Sequence, residues 1–162
     1  MRTMHWASRI DEYFREKFTR PWTPEMRRHY LENLSFTRDE TSEHRAALRN
    51  LDQLDTKASG TLTHISMMIA ALGVTARADI IDHESERFIL YATMCVYLIL
   101  SVFCLRCMNG FAIDLAAGPR ERFLEHLTDE LIYRKELYSH ANRATTLLTA
   151  VVFLLIIFFY FY

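Results

Sequence analysis

Polar and apolar positions first alternate with helical periods along this chain and later give way to long runs without charge. In "HWASRIDEYFREKF", Trp6, Ile10, Tyr13, Phe14 and Phe18 follow one another at steps of 4, 3, 1 and 4, which gathers them on one side of an amphipathic helix. Such a face packs on a partner helix or lies on lipid; Asp11, Glu12 and Glu16 dilute attraction to anionic lipid and favour packing. Pro21 and Pro24 interrupt the chain around Trp22, and "PEMRRHYLENL" predicts a second short helix with Pro24 in its first turn. A longer helix is predicted from Thr37, where "TRDE" has the capping-box pattern. Its apolar positions, Leu48, Leu51, Leu54, Ala58, Leu62, Ile65, Ile69 and Leu72, keep steps of 3 and 4 into an uncharged stretch. One helix from about residue 38 to 74 is therefore expected.

Three stretches are apolar enough to cross a bilayer. Phe88 to Leu105 are 18 consecutive uncharged residues, and Ala144 to Tyr162 are 19 more. At about 1.5 Å of rise per residue each covers most of a ~30 Å hydrocarbon layer. The stretch Ala58 to Ala76 is also uncharged but holds serines, threonines, two glycines and His64, so a buried or re-entrant helix is its alternative. The distribution, rather than the overall 51% hydrophobic and 24% charged residues, separates a small membrane protein from a globular domain.

Basic residues set the orientation, because they remain on the cytoplasmic side of loops near the spans. Residues 1–57 hold eleven Lys or Arg and residues 106–143 hold six, whereas "RADIIDHESER" at 77–87 sets two Arg against four acidic residues. The pattern predicts a cytoplasmic region at 1–57, spans at 58–76, 88–105 and 144–162, an outer loop at 77–87 and a cytoplasmic segment at 106–143. Without the first span, basic clusters would fall on both sides. The first twenty residues are rich in charge and lack a continuous apolar centre, so insertion is expected to begin at span one or two. The expected fold is an all-α membrane protein, a cytoplasmic helical stem plus three transmembrane helices, assembled as a homo-oligomer.

Two polar faces mark span one. Ser59, Thr63, Ser66, Ala70 and Gly73 form a seam of small residues that lets another helix approach closely. Beside it Lys57, Thr61, His64, Met68 and Ala71 form a stripe on which His64 is the ionisable residue well inside the span. Lys57, Thr61, His64 and Met68 are the candidate pore-lining residues; an interhelical hydrogen bond from a packed His64 is the alternative. After "NGFAIDLAAG", Pro119 is placed to open a helix whose Phe123, Leu124, Leu127, Leu131 and Tyr138 face a partner before it runs into span three.

Enzymatic signatures are missing: the chain has no GxGxxG, P-loop, HExxH or GxSxG, and the reading is that it is not an enzyme and takes no cofactor. The pair Cys104 and Cys107 in "CLRC" lacks the second ligand pair of a structural zinc site, so lipid modification or packing is the better account, and no metal is expected. The segment "FREKFTRPWTPEMRRHY" is more suggestive. Arg15, Lys17, Arg20, Arg27 and Arg28 supply donors for phosphates, and Trp22 and Tyr30 supply flat faces for bases, which makes these seven residues the candidate nucleotide site. A juxtamembrane basic zone that touches anionic lipid, or subunit packing, explains the same residues.

The helical stem, "LDTKASGTLTHISMMIAALG" running into the first span and "RKELYSHANRAT" running into the last resemble the small membrane effectors of bacterial nucleotide-signalled anti-phage defence. These include the Pycsar transmembrane effectors, the SLATT-like two-span domains and the Hailong membrane effectors. The resemblance covers roughly residues 40–162. It implies a cyclic nucleotide or oligonucleotide signal, made by a neighbouring nucleotidyltransferase or cyclase, that controls a membrane-damaging or ion-conducting homo-oligomer in the bacterial inner membrane and causes growth arrest. A structural membrane scaffold or assembly subunit without conductance is the alternative.

Overall fold

The computed structural model describes residues 4–34, 40–77, 84–108 and 120–161, which form five α-helices: α1 Met4–Thr19, α2 Pro24–Leu34, α3 Glu40–Arg77, α4 Glu84–Met108 and α5 Arg120–Phe161. Helices α3, α4 and α5 are each long and apolar enough to cross a membrane. The single helix expected from about residue 38 to 74 corresponds to α3, unbroken over the 38 residues Glu40–Arg77, and α5 runs unbroken for 42. Residues 35–39, 78–83 and 109–119, which hold the start of the "TRDE" box, most of the acidic loop and Pro119, lie outside the described residues.

Local chemistry explains the break between α1 and α2. At the end of α1 the Arg20 amide donates to Glu16 O and the Trp22 amide to Thr19 O, which closes the last turn before Pro21 and the bend. Thr23 then caps α2: its Oγ1 accepts from the Met26 amide at 3.3 Å while its carbonyl accepts from the Arg27 amide at 3.0 Å. Pro24 occupies the first helical position, where its missing N–H has no intrahelical acceptor to lose.

The chain divides into two compact units, Met1–Leu54 with Phe111–Leu137, and Asp55–Gly110 with Tyr138–Tyr162. In the first, Ala47 and Leu51 of α3 and Leu127 and Leu131 of α5 form the core, with Tyr30, Leu34 and Leu54 against it. Each buried Leu contributes about 1.5–3 kcal/mol relative to exposure. The partner that Leu127 and Leu131 face is therefore α3 of the same chain. Ala47 is fully buried while Leu48 is 44% exposed, so the buried apolar line on α3 runs through Ala47 and not through Leu48.

In the second unit Ile65, Leu72 and Ala76 of α3 pack with Leu90, Tyr97, Leu100 and Cys104 of α4 and Ala141 and Val152 of α5. Along α3, buried Leu51, Ala58, Ile65 and Leu72 recur every seven residues, the spacing that keeps one seam toward neighbouring helices. Cys104 and Cys107 are both fully buried, which is the packing reading of "CLRC". Large apolar side chains cover the outward faces, among them Phe88, Ile99, Val102, Leu147, Phe153 and Leu154. So much contiguous exposed apolar surface suits a lipid environment.

Candidate functional site

The second unit contains an open cleft between α3 and α5, about 520 Å³ in volume, whose lining residues are mostly polar in type. Helix α3 lines it with Lys57, Gly60, Thr61 and His64, and α5 with Tyr138, Asn142, Thr145, Thr146 and Thr149. Later residues of α3 meet later residues of α5, Thr61 Oγ1 at 3.5 Å from the Tyr138 hydroxyl and His64 Nε2 at 3.1 Å from Thr149 Oγ1, so the two helices run in the same direction here. Three of the four residues singled out as pore-lining, Lys57, Thr61 and His64, share this cleft. Met68 instead packs against the hydrophobic core.

A hydrogen-bonded chain closes the deep end. Thr149 Oγ1 lies 3.1 Å from His64 Nε2 and 2.9 Å from the Tyr97 hydroxyl, so one threonine joins α3, α4 and α5. Either imidazole tautomer completes it: a bare Nε2 accepts from Thr149, which accepts from Tyr97, and an Nε2–H donates to Thr149 instead. Nearer the mouth the hydroxyls are committed to their own helices. Thr61 donates to Lys57 O, Thr145 to Ala141 O and Thr146 to Asn142 O, leaving oxygen lone pairs to receive donors. The side-chain donors without such a commitment are the Lys57 ammonium and the Asn142 amide. A Cβ built at Gly60 would meet nothing within 4 Å, which measures how open the cleft is.

The small-residue seam lies on a different side of α3. Ser59, Thr63, Ser66 and Ala70 are exposed, and Thr63 and Ser66 donate to Ser59 O and Leu62 O. Their hydroxyls are satisfied without a partner, and their small size still leaves room for close approach.

In the first unit the basic aromatic segment is tied to α5 by acids and rings. Glu130 is buried, and each of its oxygens takes a different guanidinium, Oε2 from Arg15 at 2.6 Å and Oε1 from Arg134 at 2.8 Å. Arg15 also stands over the Tyr133 ring, 5.2 Å from its centroid. Arg27 donates from Nε to Trp22 O at 3.2 Å, and its Nη1 approaches Asp129 Oδ1 to 2.6 Å outside hydrogen-bonding alignment. Trp22 and Tyr30 meet edge to face at 5.4 Å, with Lys135 Nζ 4.3 Å from the Tyr30 centroid and 5.8 Å from that of Trp22. Burial, then the nearby Glu136 carboxylate, pushes the Tyr30 phenol above its usual range.

Of the seven residues read as a nucleotide site, Arg15 and Arg27 thus hold carboxylates of α5, while Trp22 and Tyr30 hold Lys135. Lys17, Arg20 and Arg28 are exposed, Lys17 lying 6.0 Å from the Tyr13 centroid. Glu130, Asp129 and Lys135 are partners that sequence reasoning missed; each lies more than 100 positions away, and only Glu130 with Arg134, at i and i+4, left a local signal. Phe14 stacks on Phe18, which reaches Tyr133 of α5, so that part of the α1 face packs on protein. Trp6 and Ile10 lie outside the described side chains.

No family model matches the chain, and no curated protein or solved structure resembles it closely enough to count as a match. Among the described residues no group of three His, Cys, Asp or Glu side chains is placed to hold a metal ion.

Proposed function

We propose that this chain is a homo-oligomeric effector of nucleotide-signalled anti-phage defence in the bacterial inner membrane, forming an ion path under control of a cytoplasmic helical stem. The observation that carries the reading is the convergence of Lys57, Thr61 and His64 with the α5 hydroxyls in one polar cleft on helices otherwise apolar enough to span. Polar and ionisable groups at that depth face other helices or water. Three helices from one chain enclose no lumen, so a path requires several copies around an axis, and the exposed seam of Ser59, Thr63, Ser66 and Ala70 suits close contact between copies.

Control is supported by α3 and α5, each of which contributes to both units without a break. The proposed signal is a cyclic nucleotide or oligonucleotide, read by the exposed Lys17, Arg20 and Arg28 beside the Trp22–Tyr30 pair. The N-terminus is cytoplasmic in this reading, following the basic-residue counts, and the chain performs no chemistry on its ligand.

The test is ion flux through liposomes containing purified protein, measured with a panel of cyclic and linear nucleotides. Flux is expected to change with one of them, and His64→Leu is expected to abolish flux while assembly persists, because an apolar ring at that depth is hard to wet. Correctly inserted wild-type protein that conducts under no condition would sink the path and leave a structural scaffold. Unaltered conductance and selectivity in His64→Leu would make His64 a packing residue.

A further inference from the structure

The cleft has a graded polarity that the proposed path does not account for. At its mouth stands the Lys57 ammonium, with Arg143 next in sequence to the lining residue Asn142. No acidic residue lines it, and neither α3 after Asp55 nor α5 after Glu136 carries one. Asp55 itself is two positions before Lys57, about 200° around the helix. Deeper come hydroxyl oxygens whose protons are already donated to their own helices. Past His64 and Thr149 the same faces continue as Met67 and Ala71 on α3 and Phe153 and Ile156 on α5, all exposed.

The lengths fit one leaflet. From Lys57 to His64 and from Asn142 to Thr149 the helices each rise about 10 Å, within the roughly 15 Å of half the hydrocarbon layer. A cation at the mouth, acceptors and an amide beneath it, and apolar groove beyond reproduce the order of a phospholipid: phosphate, glycerol, acyl chain. We infer that the α3–α5 cleft is a seat for one anionic phospholipid of the leaflet at the Lys57 end, with the phosphate at Lys57 and Asn142 and a chain along Met67 and Phe153. Lys57, with no acidic residue lining the cleft, favours a phospholipid of net negative charge, for which phosphatidylglycerol is the probe. The inference takes its bilayer setting from the proposed function and names the occupant of the same cleft in the non-conducting state: a seated lipid keeps water out.

Native mass spectrometry of the full chain, released from nanodiscs of equal phosphatidylglycerol and phosphatidylcholine, tests it. Phosphatidylglycerol is expected to be retained preferentially, with the preference falling about fivefold in Lys57→Gln, the effect of one lysine at a phosphate, and surviving in Lys57→Arg. Gly60→Leu keeps the charge and fills the open cleft, and should lose the lipid while remaining folded. Equal retention of the two lipids, or a preference untouched by both Lys57→Gln and Gly60→Leu, overturns the seat. In a second arm, ATP is titrated onto lipid-free protein; ATP binding that Lys57→Gln abolishes would give the cleft to a soluble phosphate and overturn the lipid. Retention is measured without conduction, so protein that keeps the lipid and never conducts refutes only the path, and protein that conducts and keeps none refutes only the seat.

Discussion

The two units are built on the same pair of long helices, and they hold those helices with different chemistry. In the first, α5 presents Asp129, Glu130 and Lys135, charged side chains that reach α1 and α2 through ion pairs and ring contacts, with Arg134 pairing with Glu130 along α5 itself. In the second, α5 presents Asn142, Thr145, Thr146 and Thr149, and its polar contacts to α3 and α4 are short hydroxyl and imidazole bonds. The proposed membrane setting accounts for the contrast. A charged group at the edge of an aqueous domain keeps part of its hydration, whereas in hydrocarbon a charge is expensive and a hydroxyl can return its proton to its own helix. Under the proposed membrane topology, the change from one chemistry to the other along a single helix marks where its solvent changes.

The largest effect that breaks the comparison is expected at Glu130. Glu130→Ala removes the carboxylate that takes both Arg15 and Arg134, and should cost about 3 kcal/mol, the lower end for a broken buried pair because the Arg15 side chain keeps about a third of its exposure. Hydrogen exchange in detergent should show lost protection across α1 and residues 126–137, with residues 84–108 unchanged. Equal loss in α4 would mean that the two chemistries are not separable.

A smaller effect is expected at Thr149. Thr149→Val keeps the shape and removes the link among His64, Thr149 and Tyr97, at a cost of about 0.6–2 kcal/mol, the range for hydrogen bonds between helices in a membrane. Thermal unfolding in detergent, with Tyr97→Phe and the double variant, gives the coupling energy. Strict additivity of the two substitutions would show that the chain does not act as a unit.

The smallest concerns Lys135. Lys135→Met keeps the stem and removes the cation from Tyr30 and Trp22, and should cost about 0.5–1 kcal/mol. The emission of Trp22, isolated in a Trp6→Phe background, should shift; an unmoved spectrum and unmoved stability would make the ring contact incidental.

The helices and the apolar spans were legible because their signals are local. Pro24 opens α2 in sequence and in structure, and the steps of 3 and 4 on α3 are repeated by its buried positions. The phase of the buried line was less legible: Leu48 outranks Ala47 by hydrophobicity, yet Ala47 is the one buried, in the cluster with Leu127 and Leu131 of α5. In the candidate site, Lys57, Thr61 and His64 could be placed on one face by counting, while Tyr138, Asn142, Thr145, Thr146 and Thr149 were not seen as their counterparts.

By itself the sequence determined that this is an all-helical chain with three stretches able to cross a membrane, since charge-free runs and helical periods need no partner to be read. The tertiary structure decided what the polar groups face. Arg15 and Arg27 could equally have held phosphates, and they hold Glu130 and Asp129; His64 could have stood alone, and it shares Thr149 with Tyr97. Those outcomes depend on which residues, 50 to 115 positions away, arrive within 3 Å or so, and a helical period fixes the side of a helix from which a residue projects without fixing what comes to meet it.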